Sequence, residues 1–229
     1  MSNPSSKNKT HQQHTEIKKA VMKNGLILGL FAFVSTGLIA ITHLLTKDKI
    51  SLEIELALIR QLSQIVHQDQ YSNEVYKDCI VINNLNFLGT NKDQKLYRMR
   101  NAEGNYAILM TSVAPDGYSG KINLTVAISQ QGKLLGVNIL SHKETPGLGD
   151  KIERSKSHWL NQFEGLSLNN PKKKQWKVKK DGGQFDALTG ATITPRAVIN
   201  AIYKNLEFYA ENSPQLFNSE SNCEKSNGQ

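Results

Sequence analysis

The sequence predicts an α+β fold: a single N-terminal transmembrane helix, followed by an exported domain of antiparallel β-hairpins with flanking helices. Three features of the 229 residues lead there. An uncharged apolar run near the N-terminus is too long to be the buried face of a soluble helix. Two pairs of strand-like segments are each joined by a short turn ending in glycine. A Pro-started amphipathic helix comes after them, and hairpins followed by helices are the pattern of an α+β layer arrangement.

From Asn24 to Thr46 no residue is formally charged. At ~1.5 Å rise per residue, the ~21 residues from 25 to 45 span ~31 Å, about one hydrocarbon core. A buried soluble helix seldom stays apolar on every face for so long. A cleaved secretory signal is the competing reading, but its apolar stretch is normally ~7–15 residues and ends in a small-x-small site. Here the run is longer and passes directly into His43-Leu-Leu-Thr-Lys-Asp48, so a retained anchor over 25–45 is the better reading. Lys7, Lys9, Lys18, Lys19 and Lys23 precede it; Lys47 and Lys49 follow, offset in part by Asp48. The positive-inside rule then leaves residues 1–24 in the cytoplasm, as a polar tail without fixed structure, and carries everything after about residue 46 across the membrane.

Residues 46–95 read as a membrane-proximal helix and a connecting region. Leu52, Leu56, Ile59, Leu62, Ile65 and Val66 recur near a 3.6-residue period, which predicts an amphipathic helix over 50–67. The folded domain is assigned to 96–211. Leu96–Arg100 and Tyr106–Met110 flank the turn Asn101-Ala-Glu-Gly104 as one hairpin; Ile122–Ile128 and Leu134–Leu140 flank Gln130-Gln-Gly132 as a second. Ser155–Leu160 predicts a short helix. From Pro195 to Ala210 the signals are fuller: Thr194 as cap, Pro195 in the first turn, and a stripe of Val198, Ile199, Ile202, Leu206 and Tyr209. The tail from 212 to 229 is polar and expected to be loose.

The formal charge of +8 invites nucleic acid or anionic lipid as a partner, but its location argues otherwise. Residues 1–24 hold a net +4 and Lys172–Lys180 a net +6, which leaves −2 on the remainder. The folded body is therefore not basic, and no nucleic-acid partner is expected. The Lys172–Lys180 run reads as a solvated charge cluster, with docking to an acidic partner or to lipid headgroups as the alternative. Cys79 and Cys223 are the only cysteines; without a CxxC or a His/Cys cluster no metal site is expected. Export would permit a disulfide between the two, and spacing alone leaves the pairing open. Trp159 and Trp176 read as packing residues.

The segment that carries chemistry is Asp186-Ala-Leu-Thr-Gly-Ala-Thr192, just before the last helix. On physical grounds it is an anion site. Gly190 lets backbone approach a ligand, the hydroxyls of Thr189, Thr192 and Thr194 can donate, and the free N–H groups of a helix start favour phosphate. A plain helix cap is the competing reading of the same residues.

Asp-x-x-Thr-Gly-Ala-Thr resembles the flavinylation motif of FMN-binding domains, in which a flavin transferase joins the FMN phosphate to the hydroxyl of the final Thr. The resemblance implies Thr192 as the acceptor, with Thr194 as its rival, and Asp186, Leu188, Thr189, Gly190 and Ala191 as the residues that shape the site. Two upstream stretches extend it. Gly117-Tyr118-Ser119-Gly120-x-Ile122 is similar to the family's glycine-bounded turn into the central hairpin. His142-Lys-Glu-Thr-Pro-Gly-Leu-Gly149 is similar to its second FMN-side loop, which implies Glu144, Thr145 and Leu148 as flavin contacts; for His142 both a surface role and a flavin contact stay open. Within the family, anchor, length and motif position most resemble the G subunits of the Rnf (or Rsx) electron-transport complexes. The related C subunits of sodium-pumping NADH:quinone reductases are usually longer. The resemblance implies an electron-carrying subunit of a ferredoxin- and NAD-linked ion-translocating complex. It would carry covalent FMN, have no catalytic residues of its own, and work with the other membrane subunits of the complex and a flavin transferase. It would sit in a bacterial inner membrane, N-terminus cytoplasmic and FMN domain periplasmic. The competing class is a non-redox anchored sensor or assembly factor that binds a flavin or another phosphorylated ligand.

Overall fold

A computed structural model describes residues 5–223, except for the side chains of 5–20, 47–52, 54, 55, 58 and 59. The chain divides into two compact units, 1–56 and 57–229.

From Ser5 onward the first unit is helical, within α1 (Ser5–Ser63). Its window Val21–Thr46 is long and apolar enough to cross a membrane, and none of that window is buried. The few hydroxyls inside it turn back on the helix: Ser35 Oγ donates to the Phe31 carbonyl and Thr42 Oγ1 to that of Leu38, both at 2.8 Å. Such internal bonds satisfy groups that hydrocarbon cannot. The polar start, expected to lack structure, is helical from Ser5. No Gly or Pro interrupts residues 5–24, and Lys, Gln, Glu and Ala are good helix formers.

The second unit is built on one five-stranded sheet in which sequence neighbours are spatial neighbours. Its strands are β1 (Cys79–Ile82), β2 (Gln94–Asn101), β3 (Gly104–Ala114), β4 (Ile122–Ser129) and β5 (Leu134–Ser141), all antiparallel. Both predicted hairpins are present, as β2–β3 and β4–β5. Two-residue alternation sorts the side chains between two faces. Leu96, Ile108, Met110, Leu124 and Val126 share one core with Val198, Ile202 and Leu206 of α3 (Ile193–Asn218). Met99, Ala107, Leu109 and Ala127 share the other with Leu62, Val66 and Val75. The sheet is thus covered on both faces. Of the apolar stripe predicted over 50–67, Leu62 and Val66 are buried, whereas the side chains of Leu52 and Ile59 lie outside the described residues.

Four details differ from expectation. The sheet starts at β1, inside the stretch read as a connecting region, and is followed by the single-turn α2 (Leu85–Leu88). The short helix expected over Ser155–Leu160 is instead a 3-10 turn at Trp159–Phe163. α3 starts at Ile193, so Thr194 lies inside it and does not cap it. The same helix runs past Ala210 and through Pro214 to Asn218, so the segment from Asn212 is not loose as far as that point. Leu216 and Phe217 are buried, and their carbonyls accept from Arg98 Nη1 at 3.2 and 3.4 Å. Arg100 Nη2 adds a bond to the Phe217 carbonyl at 2.9 Å. Guanidinium groups thereby satisfy the acceptors that a helix end leaves open. Asp78 joins both arginines, and next to it Cys79 is disulfide-bonded to Cys223, with Cα atoms 5.8 Å apart. Residues 224–229 of the predicted tail lie outside the described residues.

Candidate functional site

Three loops meet at one end of the domain. The first is Gly117–Gly120, between β3 and β4; the second is 142–149, after β5; the third is 188–194, which leads into α3. Each is a place where regular structure must stop. Pro115 ends β3's ladder, Pro146-Gly147 turns the chain after β5, and Leu188 and Ala191 close a tight turn through the Ala191 N–H to Leu188 carbonyl bond at 3.1 Å.

Glu144 ties the three together. Its side chain is only 4% exposed. Oε1 accepts from the Ser119 amide at 3.0 Å, Oε2 accepts from the Tyr118 amide at 3.3 Å, and the Thr194 hydroxyl donates to Oε2. In all three bonds the carboxyl oxygens accept. The Glu144 amide donates to His142 Nδ1 at 3.0 Å, while His142 Nε2 meets Glu153 Oε1 at 2.8 Å. The half-buried imidazole supports the loop from behind and does not line the pocket that lies between the three loops. Hydrogen bonding from Lys156 outweighs partial burial and holds the Glu153 carboxyl below its ordinary value, with His142 contributing. Asp150, at the end of the loop, is held down in the same direction, first by the Gly147 amide and then by Lys156.

Two glycines bear directly on the pocket. Gly149 passes so close to Glu144 and Thr194 that a Cβ would sit 2.9 Å from Thr194 Oγ1 and 3.0 Å from Glu144 Cβ. Gly190 has φ +80°, and a Cβ there would meet Leu148 Cδ2 at 2.6 Å.

Between the loops lies a pocket of about 250 Å³. Of the residues predicted for the site, Thr192, Gly190, Ala191, Glu144, Thr145 and Leu148 line it. Asp186, Leu188 and Thr189 do not. Asp186 is exposed and paired with Lys179 Nζ at 2.5 Å, its carbonyl accepting from Trp159 Nε1 at 2.7 Å. Leu188 is buried in the core and Thr189 is exposed. Thr192 occupies the N-cap position of α3, is exposed, and makes no capping hydrogen bond. Thr194 also lines the pocket, but it is 1% exposed and its hydroxyl is committed to Glu144. Sequence reasoning missed Tyr118, Gly149 and Ile193 as lining residues. Tyr118 had a signal, its place in a Gly-bounded turn; Ile193 had none. Trp159 and Trp176 are packing residues, in a cluster with Phe163 and Phe185 whose ring centroids lie 4.7–6.4 Å apart.

An exposed hydroxyl at a helix start, a buried polar floor and an apolar rim are the parts of a ligand-binding α+β domain. Residues 117–207 match the model of the FMN-binding domain, and residues 13–65 match that of the RnfG N-terminal region. The G subunit of the ion-translocating oxidoreductase complex of Shewanella piezotolerans is 46% identical over 212 residues, 92% of this chain and 100% of that protein. The G subunit of Shewanella loihica is 43% identical over 91% of this chain and 98% of that protein; that of Vibrio cholerae is 43% identical over 90% and 98%. The chain belongs to the family of G subunits of ion-translocating oxidoreductase complexes. Among solved structures it is similar to NqrC of Shewanella oneidensis, with a TM-score of 0.45 and 22% identity over 66% of this chain and 74% of that one. It is also similar to the C subunit of the Na(+)-translocating NADH-quinone reductase of Parabacteroides distasonis, with a TM-score of 0.46 and 20% identity over 63% and 79%.

Proposed function

We propose that this chain is the electron-carrying flavoprotein subunit of a ferredoxin- and NAD-linked ion-translocating complex, with FMN held by a phosphoester to Thr192. The observation that carries the reading is the contrast between the two candidate hydroxyls. Thr192 is exposed, uncapped and in the pocket at the start of α3, whereas Thr194 is buried and bonded to Glu144. The residues present suit the group. The helix start favours phosphate, and Thr145 and the loop backbone offer polar partners. At about 250 Å³ the pocket is smaller than the ~300–1,000 Å³ that encloses a drug-sized ligand. Phosphate and ribityl chain would therefore lie inside it, with the ring at its mouth against Leu148. Asp186, Leu188 and Thr189 then act outside the pocket, shaping the acceptor turn and the face a flavin transferase would read.

Bound FMN supplies one- and two-electron transfer; the protein binds and orients it. A covalent ester removes dissociation, which favours retention in a dilute exported compartment. With 25–45 as the anchor and 1–24 in the cytoplasm, the domain faces the periplasm of a bacterial inner membrane. The charge bias around the anchor and the Cys79–Cys223 disulfide both support that side. Partners are the other membrane subunits of the complex. In native membranes, adding a reduced low-potential donor should bleach this subunit's flavin absorbance reversibly. A covalently bound flavin that never changes redox state during turnover of the complex would instead make the chain a sensor or assembly factor.

A further inference from the structure

The Lys172–Lys180 segment is mounted on the core. Trp176 and Val178 within it are buried, as are Pro171 and Phe185 on its flanks, while all six lysines are exposed. The backbone is fixed as well. The Lys179 amide donates to the Phe185 carbonyl at 2.7 Å, the Phe185 amide to that of Lys177 at 3.1 Å, and the Gln184 amide to that of Gln175 at 3.0 Å. Lys173 is paired with Glu207 and Lys179 with Asp186. Among the described residues, Lys172, Lys174, Lys177 and Lys180 form no salt bridge, so four positive charges face solvent on a rigid mount. Beside them lies a cavity of about 370 Å³. Trp176 and Ile199 are its apolar lining, and Lys177, Asp181, Arg196 and Asn200 its polar one. Arg196 is held there by two bonds to Asp181, at 2.7 and 2.8 Å.

This face adjoins the acceptor turn. Thr192, Arg196 and Asn200 follow one another at four-residue spacing along α3, so they lie on one side of the helix, and all three are exposed. About 6 Å of helical rise separates Arg196 from Thr192. The Lys179–Asp186 pair joins the lysines to the start of the same turn. We propose that the Lys172–Lys180 face and its cavity dock the acidic surface of the subunit that exchanges electrons with this chain's flavin. This rests on the covalent-FMN reading above. Opposite charges steer two proteins together and fix their register, and electron-transfer partners form small, weak contacts. That suits a carrier that meets a partner and leaves it. A protein fits the face better than a layer of lipid headgroups, because a cavity floored by Trp176 and Ile199 receives a protruding side chain.

The test uses the whole complex in native membranes, with this chain as wild type, with Lys172, Lys174, Lys177 and Lys180 all changed to Gln, or with all four changed to Arg. A water-soluble carbodiimide joins lysine amines to carboxylates in contact, and the linked peptides are mapped by mass. Links Lys173–Glu207 and Lys179–Asp186 within the chain show that the reagent has reached the face. In the wild type, residues 172–180 should also be linked to Asp or Glu of another subunit, and high salt should lower that yield several-fold. At low salt the fourfold Gln variant should reduce and reoxidise its flavin several-fold more slowly, at wild-type flavin content. The fourfold Arg variant should keep the wild-type rate. Links confined to this chain, or an unchanged rate in the Gln variant, overturn the proposal. So does protection of these lysines from an amine reagent by nanodiscs of phosphatidylglycerol but not of phosphatidylcholine, without a link between subunits, which assigns the face to lipid. Lost flavin content at an unchanged rate per flavin overturns it too, and assigns the face to the flavin transferase. A wild-type chain of unmodified mass instead overturns the covalent-FMN reading; the link between subunits is scored without any flavin.

Discussion

Replacing Glu144 by Ala strips the acceptor from three donors at once: the Tyr118 and Ser119 amides and the Thr194 hydroxyl. A buried donor left without a partner costs ~1–3 kcal/mol. The pocket admits water on one side, so the two amides recover part of that loss and each takes the low end of the range. Thr194, 1% exposed, does not. With ~1 kcal/mol for each amide and ~2 kcal/mol for the Thr194 hydroxyl the sum comes to ~4 kcal/mol, which at ~3 °C per kcal/mol for a domain of this size lowers Tm by ~12 °C. Glu144→Gln keeps one accepting oxygen and should fall about halfway. The readout is built in: the chain's two tryptophans, Trp159 and Trp176, both belong to the core of the 57–229 unit, and the anchor has none. Intrinsic fluorescence of the detergent-solubilised full chain therefore follows this domain alone. The same variant should accept flavin poorly, because the acceptor loop loses its tie to the other two. A Tm within ~2 °C of wild type, with flavinylation unchanged, would show that Glu144 does not hold the loops together.

Three further outcomes rest on the same geometry. Gly190→Ala puts a side chain at φ +80°, at a cost of ~1–2 kcal/mol, and pushes on Leu148; it should lower the denaturant midpoint and slow flavin attachment, and an unchanged attachment rate would contradict the role given to this turn. Burial pushes the Asp78 carboxyl up, but Arg100 and Arg98 together outweigh it and hold the group below its ordinary value. A carboxyl depressed in the folded state stabilises above its unfolded pKa of ~3.9 and loses that contribution as pH falls through the folded value. Hydrogen exchange at the end of α3 should accordingly speed up below about pH 4 beyond the intrinsic trend, and Asp78→Asn should remove the difference. Arg98→Met leaves the carbonyls of Leu216 and Phe217 and one side of Asp78 without this partner, and should fray residues 214–219, read as lost exchange protection there and not in β3 or β4.

The two central hairpins were legible because one-residue alternation and a glycine turn are local signals, and nothing distant had to intervene. β1 was not. Its four residues are too short to show a period, and its pairing with β2 comes from the sheet. The end of α3 was misread for a similar reason. Pro214 and a polar sequence mark a stop locally, yet Arg98 and Arg100, more than a hundred residues upstream, supply what the helix end lacks. In the site, the turn at 186–192 and the Glu144–Leu148 loop were found through their resemblance to the motifs of FMN-binding domains; the residues alone gave a turn at Pro146-Gly147 and an anion site at a helix start. That Asp186 turns to Lys179, away from the pocket, could not be read, since an exposed carboxylate beside six lysines has several partners within reach. Nor could the burial of Glu144. A glutamate in a loop is ordinarily solvated, and only the convergence of three loops encloses it.

The central claim is the phosphoester at Thr192, and peptide mass mapping tests it most directly on the full chain produced together with a flavin transferase. The expected result is a gain of one FMN less one water on the peptide containing Thr192, lost in Thr192→Val and retained in Thr194→Val. An adduct that survives Thr192→Val and disappears in Thr194→Val, or a wild-type chain of unmodified mass, would contradict it.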